Sequence, residues 1–134
     1  MTVTTTEPGP VLVVDADADR ASTVTEMLAT RSPVEHVPTA RAALARVGEL
    51  PDLKALVIER DLPDVDAFDA VALFGEWCSI ENVPTIVVAA TEDDRAVQRS
   101  IESRCDAYFV EPDPVARAEM AALTIALLGR PNHG

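Results

Sequence analysis

Blocks of aliphatic residues recur along the chain and set its plan. Val11-Leu12-Val13-Val14 is ended by Asp15-Ala16-Asp17-Ala18-Asp19, and Leu56-Val57-Ile58 runs into Glu59-Arg60-Asp61-Leu62-Pro63. Val34 to Val37, Pro84 to Ala89 and Ala107 to Val110 repeat the theme. Short apolar runs closed by charge or Pro read as strands buried on both faces of a parallel sheet. Between them apolar positions fall at helical spacing. Asp17 or Asp19 caps a helix running to about Arg31, with Val24, Met27 and Leu28 on one side. Thr39 caps a second, with Ala42, Ala43 and Val47 inward and Gly48 near its end. A third runs from about Val65 to Trp77, a fourth opens at Thr91-Glu92-Asp93-Asp94, and a fifth spans Pro112 to Leu128, closed by Gly129.

Five strands alternating with five helices predict right-handed crossovers and a doubly wound α/β domain. Residues 1–9 read as a polar disordered lead, 10–130 as one domain and 131–134 as a polar tail. In such a sheet the ligand crevice lies at the carboxyl ends of the strands, which places Glu59 at its floor.

Composition narrows the function classes. Hydrophobic residues are 48% of the 134 but aromatics only 4%, so aliphatic side chains must fill the core. No apolar run reaches the roughly 18 residues of a membrane span, and no basic region precedes an apolar one at the start; a cytoplasmic protein is expected. Cys78 and Cys105 lack metal-ligand spacing and read as buried free thiols. The net charge of −12, with Lys54 the single lysine, opposes direct nucleic-acid binding and suits a solvated acidic surface. No nucleophile–base pair points to a hydrolase, and no enzymatic activity is expected.

The ends of the first, third, fourth and fifth strands deliver Asp15, Glu59, Ala89 and Glu111. Carboxylates converging from separate strands would repel one another, raise one another's pKa and favour a hard cation, with Asp15 and Glu59 the candidate ligands.

At these strand ends the chain resembles the receiver domain of two-component response regulators, over nearly its whole length. The acids after the first strand, the loop Glu59-Arg60-Asp61-Leu62-Pro63 with Pro four residues beyond the strand-end acid, the fourth strand beginning at Pro84, and Tyr108-Phe109-Val110-Glu111-Pro112 carry the resemblance. It implies a flavodoxin-like five-stranded parallel sheet of order 2-1-3-4-5. It also implies a phosphorylation chemistry of five positions: two acids holding Mg²⁺, an acceptor aspartate, a Thr or Ser hydroxyl, and a lysine on the phosphoryl group. Here the first acid is Asp15, the second is Ala16, the acceptor is Glu59, the hydroxyl position is Ala89 and the lysine position is Glu111.

Each departure opposes phosphotransfer. Glu59 reaches a methylene further than Asp, and placement errors near ~1 Å cost on the order of a hundredfold in rate. Ala16 removes a ligand, Ala89 a donor, and Glu111 turns attraction for the phosphoryl group into repulsion. Asp61 is a rival acceptor and Asp17 a stand-in for the missing acid, otherwise a helix cap. Glu59 carries negative charge where a phosphoryl group would sit, yet Ala89 and Glu111 cannot close on it. The expectation is an atypical pseudo-receiver that signals through phosphorylation-independent protein–protein contacts with a kinase, output domain or regulator, without Mg²⁺. The alternative is an unusual phosphorylatable or cation-binding receiver, forming the N-terminal part of a sensor kinase or regulator.

In the family, partners use the face of the fourth helix, fifth strand and fifth helix, where Tyr108 occupies the switch-aromatic position. Met120, Ala121, Leu123, Ile125, Leu127 and Leu128 make the last helix apolar on more than one face, a candidate homodimer surface. Trp77 beside Cys78 reads as packing.

Overall fold

A computed structural model describes residues 9–77 and 83–128. Ten elements alternate along it: β1 (Val11–Val14), α1 (Ala18–Leu28), β2 (Val34–Val37), α2 (Ala40–Val47), β3 (Ala55–Glu59), α3 (Ala67–Trp77), β4 (Thr85–Ala89), α4 (Ala96–Ser103), β5 (Ala107–Val110) and α5 (Pro114–Leu128). The strands form one sheet of order β2-β1-β3-β4-β5, every pairing parallel, as the alternation of elements predicts. No described helix is long and apolar enough to cross a membrane.

The two-residue period of the strands divides the core into two layers. Val11, Val13, Ala55, Val57, Ile86 and Val88 face α1 and α5, meeting Val24, Leu28, Ala121 and Ile125. Leu12, Val14, Leu56, Ile58 and Val87 face the other side, under α2, α3 and α4, where Phe68 and Phe74 fill the space. Every residue of β1, β3 and β4 is buried, so these three strands hold the middle of the sheet. The period carries past the strand ends: Asp15 and Glu59 fall on the α1/α5 side, and Arg60, one residue later, on the other.

Four helix ends differ from the sequence expectation, each for a local reason. Asp17 caps α1 by accepting from the Arg20 amide at 3.0 Å. That helix stops at Leu28 rather than near Arg31, where the amides of Arg31 and Ser32 both turn back to the Leu28 carbonyl and Pro33 forbids another turn. α3 begins at Ala67 rather than Val65, because Asp66 Oδ1 accepts from the Phe68 and Asp69 amides. α4 begins at Ala96 rather than Thr91: Asp93 takes the Arg95 amide on its side chain and the Ala96 amide on its carbonyl, closing a separate turn first. α5 begins at Pro114, not Pro112, with Asp113 accepting from the Ala116 and Arg117 amides and Pro114 in the first turn, where no N–H is needed.

Thr39 caps α2 as its sequence predicts, accepting from Ala42 at 3.1 Å, and Asp64 reaches across to accept from the Ala40 and Arg41 amides. That second cap pins the loop after β3 to α2. Cys105 is a half-buried thiol rather than a fully buried one; Cys78, Gly129 and residues 131–134 lie outside the described residues.

Candidate functional site

Asp15 and Glu59 stand side by side at the strand ends, each about 3% exposed. Two ionised carboxylates this deep are unstable without cations, since burying a lone charge costs several kcal/mol even after relaxation. Two arginines supply them. Arg20, from the first turn of α1, grips Asp15 as a two-pronged fork, Nε to Oδ2 at 2.6 Å and Nη2 to Oδ1 at 2.7 Å. Its Nη2 also lies 3.2 Å from Glu59 Oε1. Arg117, from the first turn of α5, is 1% exposed. Its Nη1 lies 3.4 Å from Glu59 Oε2 and 3.7 Å from Asp15 Oδ2, while Nε and Nη2 both donate to the Glu111 carbonyl at 3.2 Å. The remaining acceptor capacity takes backbone amides, Asp17 N on Asp15 and Arg60 N on Glu59. His36 Nε2 lies 2.7 Å from the Asp15 carbonyl oxygen.

The expected repulsion between carboxylates is thus replaced by a neutral square of two acids and two guanidiniums. The pKa of Glu59 is raised, foremost because burial disfavours its charged form; Arg117 and Arg20 pull it down, and Asp15 adds a smaller upward push. Burial lowers Arg117, against the pull of Glu59, whereas the hydrogen bond to Asp15 raises Arg20. At about 4 Å and an effective dielectric near 20, each contact is worth about 4 kcal/mol, comparable with the desolvation it offsets. The square therefore fixes where α1 and α5 sit more than it adds net stability.

The other expected site residues fall outside the square. Asp17 is an exposed helix cap, its pKa lowered first by the Arg20 amide. Ala89 is fully buried and offers only its carbonyl, which accepts from the Glu111 amide at 2.8 Å. Glu111 Oε2 accepts from the Asp113 amide at 3.1 Å, at the start of α5. The cation of that corner comes instead from Arg117. Asp61, the rival acceptor, is exposed and clasped by Arg60 through both carboxylate oxygens at 3.1 and 2.9 Å.

Arg60 builds a second centre on the α3/α4 side. Its Nη1 donates to the Thr91 carbonyl at 2.7 Å and the Tyr108 hydroxyl at 2.8 Å, and its Nη2 reaches Thr91 Oγ1 at 3.2 Å. Tyr108 is half-buried, its ring edge-on to Phe68 with centroids 5.6 Å apart. One guanidinium thereby ties the end of β3, the loop after β4 and the middle of β5. Among the described residues no group of three or more His, Cys, Asp or Glu side chains is placed to hold a metal ion.

Sequence reasoning missed all three arginines. Arg117 left a signal, because it continues the inner stripe of Ala121 and Ile125 at four-residue steps, a charge where the periodicity demands an apolar residue. Arg20 left less: its position in the first turn of α1 is an ordinary surface one until Glu59 is known to lie beneath it.

Removing one member of the square should expose its worth. Arg117→Met leaves Glu59 and Asp15 short of a cation and is expected to lower unfolding free energy in urea by about 3–5 kcal/mol; adding Glu59→Leu should recover much of that loss. Stability should also depend on pH through Glu59. With its folded pKa above the unfolded value, the folded state binds the proton more readily. Stability is therefore favoured in acid and lost as pH rises from the ordinary glutamate range through the raised value. Comparing urea midpoints of the wild type and Glu59→Gln across that range should show this fall only in the wild type.

No protein-family model matches this sequence and no curated protein matches it. Solved structures match its fold well. A CheY-like response regulator receiver domain protein from Methanospirillum hungatei superposes with a TM-score of 0.77 at 19% identity, covering 90% of this chain and 95% of that one. The signal receiver domain of a signal transduction histidine kinase from Syntrophus aciditrophicus gives 0.74 at 22% identity, covering 92% and 95%. The Mn²⁺-bound form of response regulator Rcp1 gives 0.77 at 16% identity, covering 94% and 98%. The chain has the fold of the response-regulator receiver domains.

Proposed function

We propose that this chain is a pseudo-receiver, a receiver-fold signalling domain that works through protein contacts without being phosphorylated. The single observation that carries this reading is the neutral square. Every oxygen of Asp15 and Glu59 already has a cation or an amide, and the cations are protein side chains on packed helices. Rcp1 holds Mn²⁺ on the same fold; here a divalent ion would add to two guanidiniums and meet only two carboxylates. A donor phosphoryl group would have to displace Arg20 or Arg117 to reach Glu59, and no hydroxyl at Ala89 would receive it. The domain then acts in the cytoplasm, within a larger regulator or beside a kinase, without enzymatic activity or nucleic-acid contact of its own; the net charge of −12 supports the last point.

Its docking face is built by α4, β5 and α5. Val97 and Ile101 on α4 and Leu127 on α5 are each more than 60% exposed, large apolar groups left in solvent on both sides of β5. Ala121 and Ile125 are core residues and Leu123 borders Met27 and Arg31 on the α1 side, so the candidate dimer surface on α5 reduces to Met120, Leu127 and Leu128. A second copy of the chain, meeting this face with its own, is the occupant we favour.

Exposure to acetyl phosphate with Mg²⁺ should add no phosphoryl mass, and Mg²⁺ with beryllofluoride should leave the unfolding midpoint unchanged. A phosphoryl group found on Asp61 or Glu59 would overturn the reading. In sedimentation equilibrium the wild type should dimerise and the pair Ile101→Glu and Leu127→Glu should not; a monomeric wild type at ~100 μM, weaker than the ~μM association of ordinary specific interfaces, would remove the homodimer.

A further inference from the structure

At the opposite end of the sheet a groove runs between the last turns of α1 and α5. Its deeper section, about 110 Å³, lies over Val11, Leu28 and Ile125, with Arg31, Ser32 and Lys54 as its polar wall. A shallower section of about 370 Å³ continues it, the two sharing Met27, Arg31, Ala122 and Ala126. Acids make up 23 of the 134 residues, yet none lines the deeper section; Glu119 borders only the shallower one. Lys54, the one lysine of the chain, turns its ammonium inward to donate to the nearly buried Ser32 hydroxyl at 2.7 Å. Two of its N–H bonds stay available. Neither Lys54 nor Arg31 has an ion-pair partner among the described residues.

Apolar walls that end in two uncommitted cations are the complement of an amphiphile with an anionic head. The joined volume falls in the ~300–1,000 Å³ range of small-ligand sites. We propose that this groove binds a medium-chain monocarboxylate, its hydrocarbon chain along Leu28 and Ile125 and its carboxylate on Lys54 and Arg31. A monocarboxylate suits the site better than a doubly charged head, since the surrounding −12 charge repels the second charge beyond the ~8 Å over which two cations act. The site is independent of whether the strand-end centre accepts phosphate.

Amide-resolved NMR titration of the full chain with octanoate, octanol and octylamine, each below micelle formation, tests it. Octanoate should shift the amides of Leu28, Lys54, Ala122 and Ile125 saturably and bind roughly tenfold or more tighter than octanol, with octylamine weaker still. Lys54→Gln and Arg31→Gln should each weaken octanoate roughly tenfold. Ala126→Phe, which fills the groove from an exposed position, should abolish binding with the fold retained by circular dichroism; Ala126→Leu serves if that variant fails to fold. Absence of saturable octanoate shifts, equal affinity for octanol, or unchanged affinity in both charge variants would overturn the proposal.

Discussion

The two-residue period of β1 and β3 leaves the chain no freedom over where its strand-end acids go. With Val13 and Val57 packed under α1 and α5, Asp15 and Glu59 must follow to the same side. They arrive in a nearly dry position where an unpaired carboxylate is not tolerated. The helices above answer with Arg20 and Arg117, one in each first turn. Because both guanidiniums contact both acids, neither helix can shift along the sheet without breaking contacts to the other's partner. The Arg117 bonds to the Glu111 carbonyl extend the constraint to the loop before α5. Replacing the whole square with apolar residues of like volume would cost little stability. Its consequence lies in position.

Consecutive residues carry opposite charges to opposite layers. Glu59 closes the α1/α5 side, and Arg60 closes the α3/α4 side by binding Thr91 and Tyr108. The Arg60 amide also donates to Glu59 Oε2, so one peptide joins the two centres. A change of occupancy or protonation at Glu59 therefore has a short covalent route to the loop before α4 and to Tyr108, next to the exposed apolar face. With Ala89 contributing no hydroxyl, Arg60 is what holds that loop. The loop beside the exposed apolar residues of α4 is consequently held by a side chain of the protein itself.

The fold was legible in the sequence because burial patterning and fold were one fact. Val11–Val14, Leu56–Ile58 and Thr85–Ala89 could not be exposed strands, and alternation with helices left parallel crossovers as the remaining connection. Asp15 and Glu59 were legible for the same reason, as the first charges after buried strands. Helix starts were less so, since Asp93 and Asp113 each sit among other acids and prolines able to cap, and side-chain geometry alone selects among them. The arginines were not legible as a site. Spacing relates residues within one element, whereas Arg20, Glu59 and Arg117 meet across three.

The cation beside Glu59 comes from a packed helix, and that origin bears on dynamics. A lysine at position 111 would extend from a loop residue by a flexible stem and could close on a newly arrived charge. Arg117 instead rises from α5 at the head of the buried stripe of Ala118, Ala121 and Ile125, with its guanidinium already bound on three sides. Moving it toward a new ligand would mean stripping two carboxylates of their partner in a dry site, so the loss appears before any gain. The charge of the two acids is balanced within the protein by side chains of α1 and α5. The same residues that make Asp15 and Glu59 tolerable at the strand ends are the ones that hold them closed.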